Sequence, residues 1–179
     1  LEFRRVLFRS PPFEVPISHC GGRPGQEAAA VGYGDLAYDL LQWLLPYDQA
    51  RHPIQRVCTA PYAIVNYWKT SVGWNGQGAD TFFSGSIPTA MRLVYADMLG
   101  VQPVAAGLRI SPSLPISWTH AEVVHPYAGM LCHVVITRNG KPGARVDGRH
   151  VDCPNGVIPH TELLGKGERR IEIAVTSDF

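Results

Sequence analysis

Cysteine is scarce and scattered. Cys20, Cys58, Cys132 and Cys153 form no CxxC pair, so the spacing indicates neither a zinc site nor a disulfide framework. Reduced, buried thiols in a cytoplasmic protein are the expectation. No apolar run is long enough to span a membrane. There is no basic stripe of the kind that tracks nucleic acid. Internal repeats and low-complexity tracts are also lacking. These absences leave a chain of 179 residues, long enough for one ordinary domain or two small units.

The first ten residues stand apart. Leu1 to Ser10 reads LEFRRVLFRS, which is one reading frame of a common sequencing adapter. It is set aside as a non-native scar, and the natural N-terminus is expected to be missing. Without its three Arg and one Glu, the counts of 16 basic and 15 acidic residues become 13 and 14. The formal charge then moves from +1 to −1.

From residue 11 to about 106 the spacing is helical. An Ala-rich stretch over Gln26–Val31 runs into Gly32-Tyr33-Gly34, a turn signal. Asp35 is placed to cap a helix with Leu36, Leu40, Leu41, Leu44 and Leu45 on one stripe. Pro46 ends it. Thr59-Ala60-Pro61 predicts a second helix start, with Ile64, Val65, Tyr67 and Trp68 along it. A third helix is predicted from about Ile87 to Leu99, with Ile87, Ala90, Met91, Val94, Met98 and Leu99 on its apolar face and Gly100 as its stop. The loops between these helices are long for a compact bundle, which suits a functional rim.

From 107 to 179 the pattern turns to strands. Met130, Cys132, Val134 and Ile136 alternate with Leu131, His133, Val135 and Thr137. Asn139-Gly140 and Asp147-Gly148 are hairpin signals. Ile171, Ile173 and Val175 alternate again. Helices followed by strands predict two adjoining units.

The chemistry concentrates at Asp80–Trp118. Ser84-Gly85-Ser86 opens the third helix, and a helix N-terminus offers unpaired N–H groups and a positive dipole end to an anion. Taken alone, Ser84 or Ser86 reads equally well as an ordinary N-cap, and His19 as a structural or surface histidine. Asn66 alone reads as a solvated or capping residue. Tyr62, Tyr67, Trp68 and Trp74 read as core aromatics or as sugar-stacking surfaces. Glu122, Asp147 and Asp152 read as solvated.

Three landmarks resemble glycoside hydrolase family 94, the inverting sugar phosphorylases of the cellobiose/chitobiose phosphorylase and cyclic glucan synthase type. Ser18-His19, an Ala-rich helix and Gly32-Tyr33-Gly34-Asp35 are similar to that family's Cys-His, helix and Gly-x-Gly-Asp stretch. Pro61-Tyr62 is similar to its Glu-Pro-Tyr-Val. Phe82-Phe83-Ser84-Gly85-Ser86 is similar to its Trp-Leu-Thr-Gly-Thr. Leu99-Gly100-Val101-Gln102-Pro103 and Gly107-Leu108-Arg109-Ile110-Ser111-Pro112 follow in register.

The resemblance implies the terminal helices of an (α/α)6 toroid over 11–106 and an antiparallel, sandwich-like β domain over 107–179. It implies phosphate binding by His19, Ser84 and Gly85, and sugar contacts from Asn66 and Tyr62. The family's catalytic Asp maps upstream of this chain, so no catalytic residue is expected within it. The co-substrate would be inorganic phosphate and the partner an oligosaccharide or disaccharide. No metal or other cofactor is expected, and a homodimer is possible. Ala60 replaces the family's Glu, Phe82 its Trp, and Val15-Pro16-Ile17 its Asn-Gly-Gly. These departures keep two rivals open: an inverting hydrolase on the same toroid, and a non-catalytic carbohydrate-binding module.

Overall fold

A computed structural model describes residues 23–44, 64, 67–69, 77–79, 85–138, 141–165 and 167–176. These fall into two compact units divided after Leu93, with Gly32–Asp35 grouped with the second unit.

In the first unit, helix α1 spans Arg23–Ala30 and α2 spans Gly34–Leu44. The Ala-rich stretch is therefore helical, starting slightly earlier than predicted, with Pro24 in its first turn. Gly32 lies at φ 88° and breaks the chain between the two helices. Ala28, Ala29, Ala37, Leu40 and Leu41 are buried. Leu36 is exposed, so the buried stripe of α2 is narrower than predicted. Gly25 makes room at a crowded point: a Cβ there would lie 2.8 Å from Leu93 Cδ2 and 3.7 Å from the Leu40 Cβ.

The second predicted helix is not found at Tyr67 and Trp68. Strand β1, Tyr67–Lys69, pairs antiparallel with β2, Gln77–Ala79, with Tyr67 opposite Ala79. Aromatic and β-branched residues at 64, 65, 67 and 68 favour extended backbone over helix. The start at Thr59 lies outside the described residues.

The third helix begins as α3, Ser86–Arg92, and continues as π-helix over Leu93–Met98. The Leu99 amide donates to the Val94 carbonyl at 2.9 Å, five residues back. Gly100, at φ 70°, ends the helix as predicted. The winding widens only from Leu93 onward. Leu93 and Met98 become fully buried, whereas Ile87 and Met91 are exposed.

The second unit holds two sheets. The smaller has the order β3-β4-β9, from Val101–Val104, Gly107–Ile110 and Val157–Pro159. The larger has the order β5-β6-β10-β7-β8, from His120–Tyr127, Met130–Arg138, Glu168–Val175, Gly143–Val146 and Arg149–Val151. A single core draws Val101, Leu108, Ile110 and Ile158 from the small sheet and Val123, Val134, Ile136 and Ile171 from the large one. Leu163 of α4, His160–Leu163, joins it. The unit is β-rich and its sheets share one core.

Two strand expectations change. The large sheet is not wholly antiparallel, because β6 and β10 run parallel, with Val134 beside Ile171. Asn139-Gly140, outside the described residues, does not make β6 and β7 neighbours, because β10 lies between them. Parallel partners need a long crossover; here it runs through β7, β8, β9 and α4. The Asp147-Gly148 hairpin is present, with φ of 50° and 81°, as a primed turn requires.

Gly107 is fixed by close packing. Its φ is 152°, and a Cβ would run into the Ile158 carbonyl oxygen of the paired strand β9. Gly107→Ala should destabilise the unit by about 1–3 kcal/mol from backbone strain alone. Urea unfolding measures this; an unchanged midpoint would contradict the packing described.

Candidate functional site

Gly85 is the one predicted phosphate ligand within the described residues. It is the N-cap of α3, with φ −69° and ψ −5°. It has no side chain to cap the helix, and it is exposed. The Thr89 hydroxyl donates to its carbonyl at 3.0 Å. Among the described residues, a Cβ at Gly85 would meet nothing within 4 Å. Neither dihedral angles nor packing therefore require glycine here. Pro88 lacks an N–H, so the first turn offers fewer amide donors than usual. His19, Tyr62, Asn66 and Ser84 lie outside the described residues.

A second polar cluster lies in the strand unit, in a shallow depression of about 360 Å³ lined by His133, Asp147, Glu168, Arg169 and Arg170. Asp147, at a positive φ in the β7–β8 turn, has its carboxylate on β10. Oδ1 accepts the Arg170 amide at 2.9 Å and Oδ2 accepts Arg169 Nη1 at 2.7 Å. The Asp147 amide returns a bond to the Arg170 carbonyl at 2.8 Å. Arg169 Nη2 donates to the Leu164 carbonyl at 2.6 Å, tying in the chain after α4. Arg170 Nε pairs with Glu172 at 2.9 Å, and His133 stands 3.4 Å from Glu168.

Asp147 is exposed in its turn, as expected from sequence, but its carboxylate is also a structural anchor. The Arg170 amide, against some desolvation and with help from Arg169, holds its carboxyl below the ordinary value. The two lining arginines are balanced by the two lining carboxylates, Asp147 and Glu168, so the depression carries no charge excess to draw an ion. Nothing in the sequence marked Arg169 as a staple; its role follows from a register visible only once the strands are paired.

The remaining polar groups are quieter. Burial pushes the Cys132 thiol up, opposed by Arg169 and reinforced by Asp147. Burial also raises the Cys153 thiol, and both cysteines are free. Desolvation lowers the pKa of His125. Glu122 is exposed and pairs with His120 at 2.9 Å. The Tyr127 hydroxyl meets His160 Nδ1 at 3.1 Å, their rings edge to face at 5.8 Å. Among the described residues there is no group of three or more His, Cys, Asp or Glu able to hold a metal ion. Among them, too, no helix is long and apolar enough to cross a membrane.

No family model matches the chain. It is 31% identical over 138 residues to a protein named cellobionic acid phosphorylase from Neurospora crassa; the alignment covers 75% of this chain and 17% of that protein. The chain is therefore distantly related to a sugar phosphorylase and spans a small part of that relative's length.

Asp147 also sets an acid dependence. A carboxyl depressed in the fold stabilises it above the unfolded pKa, and that contribution fades as pH falls through the folded value. Asp147→Asn should be less stable than the parent near neutral pH. The gap should close as pH falls below about 4. Urea midpoints across that range test this; a gap that persists undiminished to the lowest pH would rule out the ionised carboxylate as its source.

Proposed function

We propose that this chain is the C-terminal part of an inverting glycoside phosphorylase of the family 94 type. The relationship to a sugar phosphorylase carries the reading. The intact protein would hold a disaccharide or oligosaccharide in an (α/α)6 toroid whose last helices include α1, α2 and α3. Inorganic phosphate would attack the anomeric carbon of a β-glycosidic bond. A carboxylic acid from outside this sequence would protonate the leaving oxygen, and an α-sugar 1-phosphate would leave with inverted configuration. An inverting hydrolase performs the same displacement with a base-activated water.

The state of Gly85 supports a phosphate role. A glycine that the backbone does not need, at an exposed helix start with open space around it, permits close approach of a ligand to the amides. Ser84 would add a hydroxyl and His19 a donor or a positive charge. Asn66 and Tyr62 would contact the sugar. Exposed Val31, Leu36, Ile87 and Met91 in the helical unit suit further helices packed around it. Phosphate is the co-substrate in this reading, and the chemistry invokes no other cofactor. The hydrolase reading retains one specific support: Ala60 and Phe82 stand where the family carries Glu and Trp.

Gly85→Ala should fold normally, with stability within about 1 kcal/mol of the parent. In the intact protein, His19→Ala should weaken phosphate use about tenfold or more, since a charge-assisted contact is worth roughly 1.5–3 kcal/mol, and Gly85→Ala should weaken it by placing a Cβ in the path of the anion. Affinity for sugar alone should change much less. Phosphorolysis kinetics with phosphate varied provide the readout. Equal turnover of the intact protein without phosphate would replace this reading with the hydrolase.

A further inference from the structure

The Gly-x-Gly-Asp motif has no role in the chemistry above, yet its environment is built. Gly34 is buried, and Gly32–Asp35 groups with the strand unit although α1 and the body of α2 do not. A Cβ on Gly34 would collide with the Leu114 carbonyl and lie 2.8 Å from the Ser113 oxygen. The backbone of Gly34 therefore rests directly on the connector that links β4 to β5. One residue on, Asp35 does not cap α2 as its position suggested. Its Oδ1 accepts the Ile116 amide at 3.0 Å, across 81 residues of sequence.

The same connector is gripped from its other sides. The Ser113 amide donates to the Met98 carbonyl at 2.8 Å, at the end of the helix that Gly85 begins. Arg138 Nη2 donates to the carbonyls of Leu114 and Pro115 at 3.1 and 3.4 Å. Leu114 belongs to the core and Pro115 is fully buried. With no strand partners of its own, this segment needs borrowed hydrogen bonds. Asp35 supplies the Ile116 partner from a distant part of the chain.

We propose that Gly34 and Asp35 form a clasp: a short stretch, distant in sequence but grouped with the strand unit, that positions residues 113–116 of the β4–β5 connector. Asp35 is a positioning residue in this arrangement.

Amide hydrogen exchange on the whole 179-residue chain tests the clasp. Asp35→Ala should speed exchange at Ile116 by about tenfold or more. Asp35→Asn should restore protection, because the carboxamide oxygen still accepts the bond. If Asp35→Ala fails to fold, Asp35→Asn decides alone: a folded chain with Ile116 protected supports the clasp. Unchanged exchange at Ile116 in Asp35→Ala, or an Asp35→Asn chain that loses either its fold or that protection, overturns it.

Discussion

The strand unit depends on the parallel pairing of β6 with β10. Eight residue pairs run in register from Glu168 beside Leu131 to Val175 beside Arg138. A parallel neighbour cannot be reached by a tight turn, so the chain between must leave the sheet edge and come back. The crossover is productive: β7 and β8 extend the same sheet on the far side of β10, β9 completes the small sheet, and α4 delivers Leu163 to the core. Asp147 then bonds β10 from the β7–β8 turn, and Arg169 of β10 bonds the chain leaving α4. One carboxylate and one guanidinium thus hold the crossover, at the β7–β8 turn and after α4, against the strand that it had to accommodate.

Local patterns were legible in the sequence wherever one face of an element is buried against one core. The alternation of Met130 to Thr137 fixed β6, Ile171 and Ile173 fixed β10, and Asp147-Gly148 fixed its hairpin. Long-range order was not legible. Asn139-Gly140 looked like a hairpin because a turn dipeptide reports local bending and says nothing of which strand arrives beside it. The Ala128-Gly129 turn of the β5–β6 hairpin escaped notice because alanine seldom adopts its φ of 48°. Tyr67 and Trp68 misled for another reason. Their spacing allowed a helix, while their side-chain types preferred the strand that formed.

The π-helical stretch after Arg92 shows how a correct element can carry a wrong face. Helix length and the Gly100 stop followed from sequence, but one extra residue per turn rotates everything beyond the switch. Leu93, where the winding changes and absent from the predicted stripe, is its most buried member; Ile87 and Met91 lie before the switch, and their exposure does not come from the π winding. Winding of this kind is set by what each end must satisfy. The far end must present the Met98 carbonyl to Ser113 and the Leu99 amide to Val94.

Of the candidate site only Gly85 falls within the described residues, and what sets it apart is a glycine without a structural reason among them. Gly34, Gly100 and Gly107 are each explained by a carbonyl that a Cβ would strike. Gly85 is not: its backbone is ordinary and its surroundings are open. Sequence alone could not separate these cases, since all four are glycines beside turns or helix ends. Packing separates them. Three are there for the fold, and for the fourth the described residues supply no such reason.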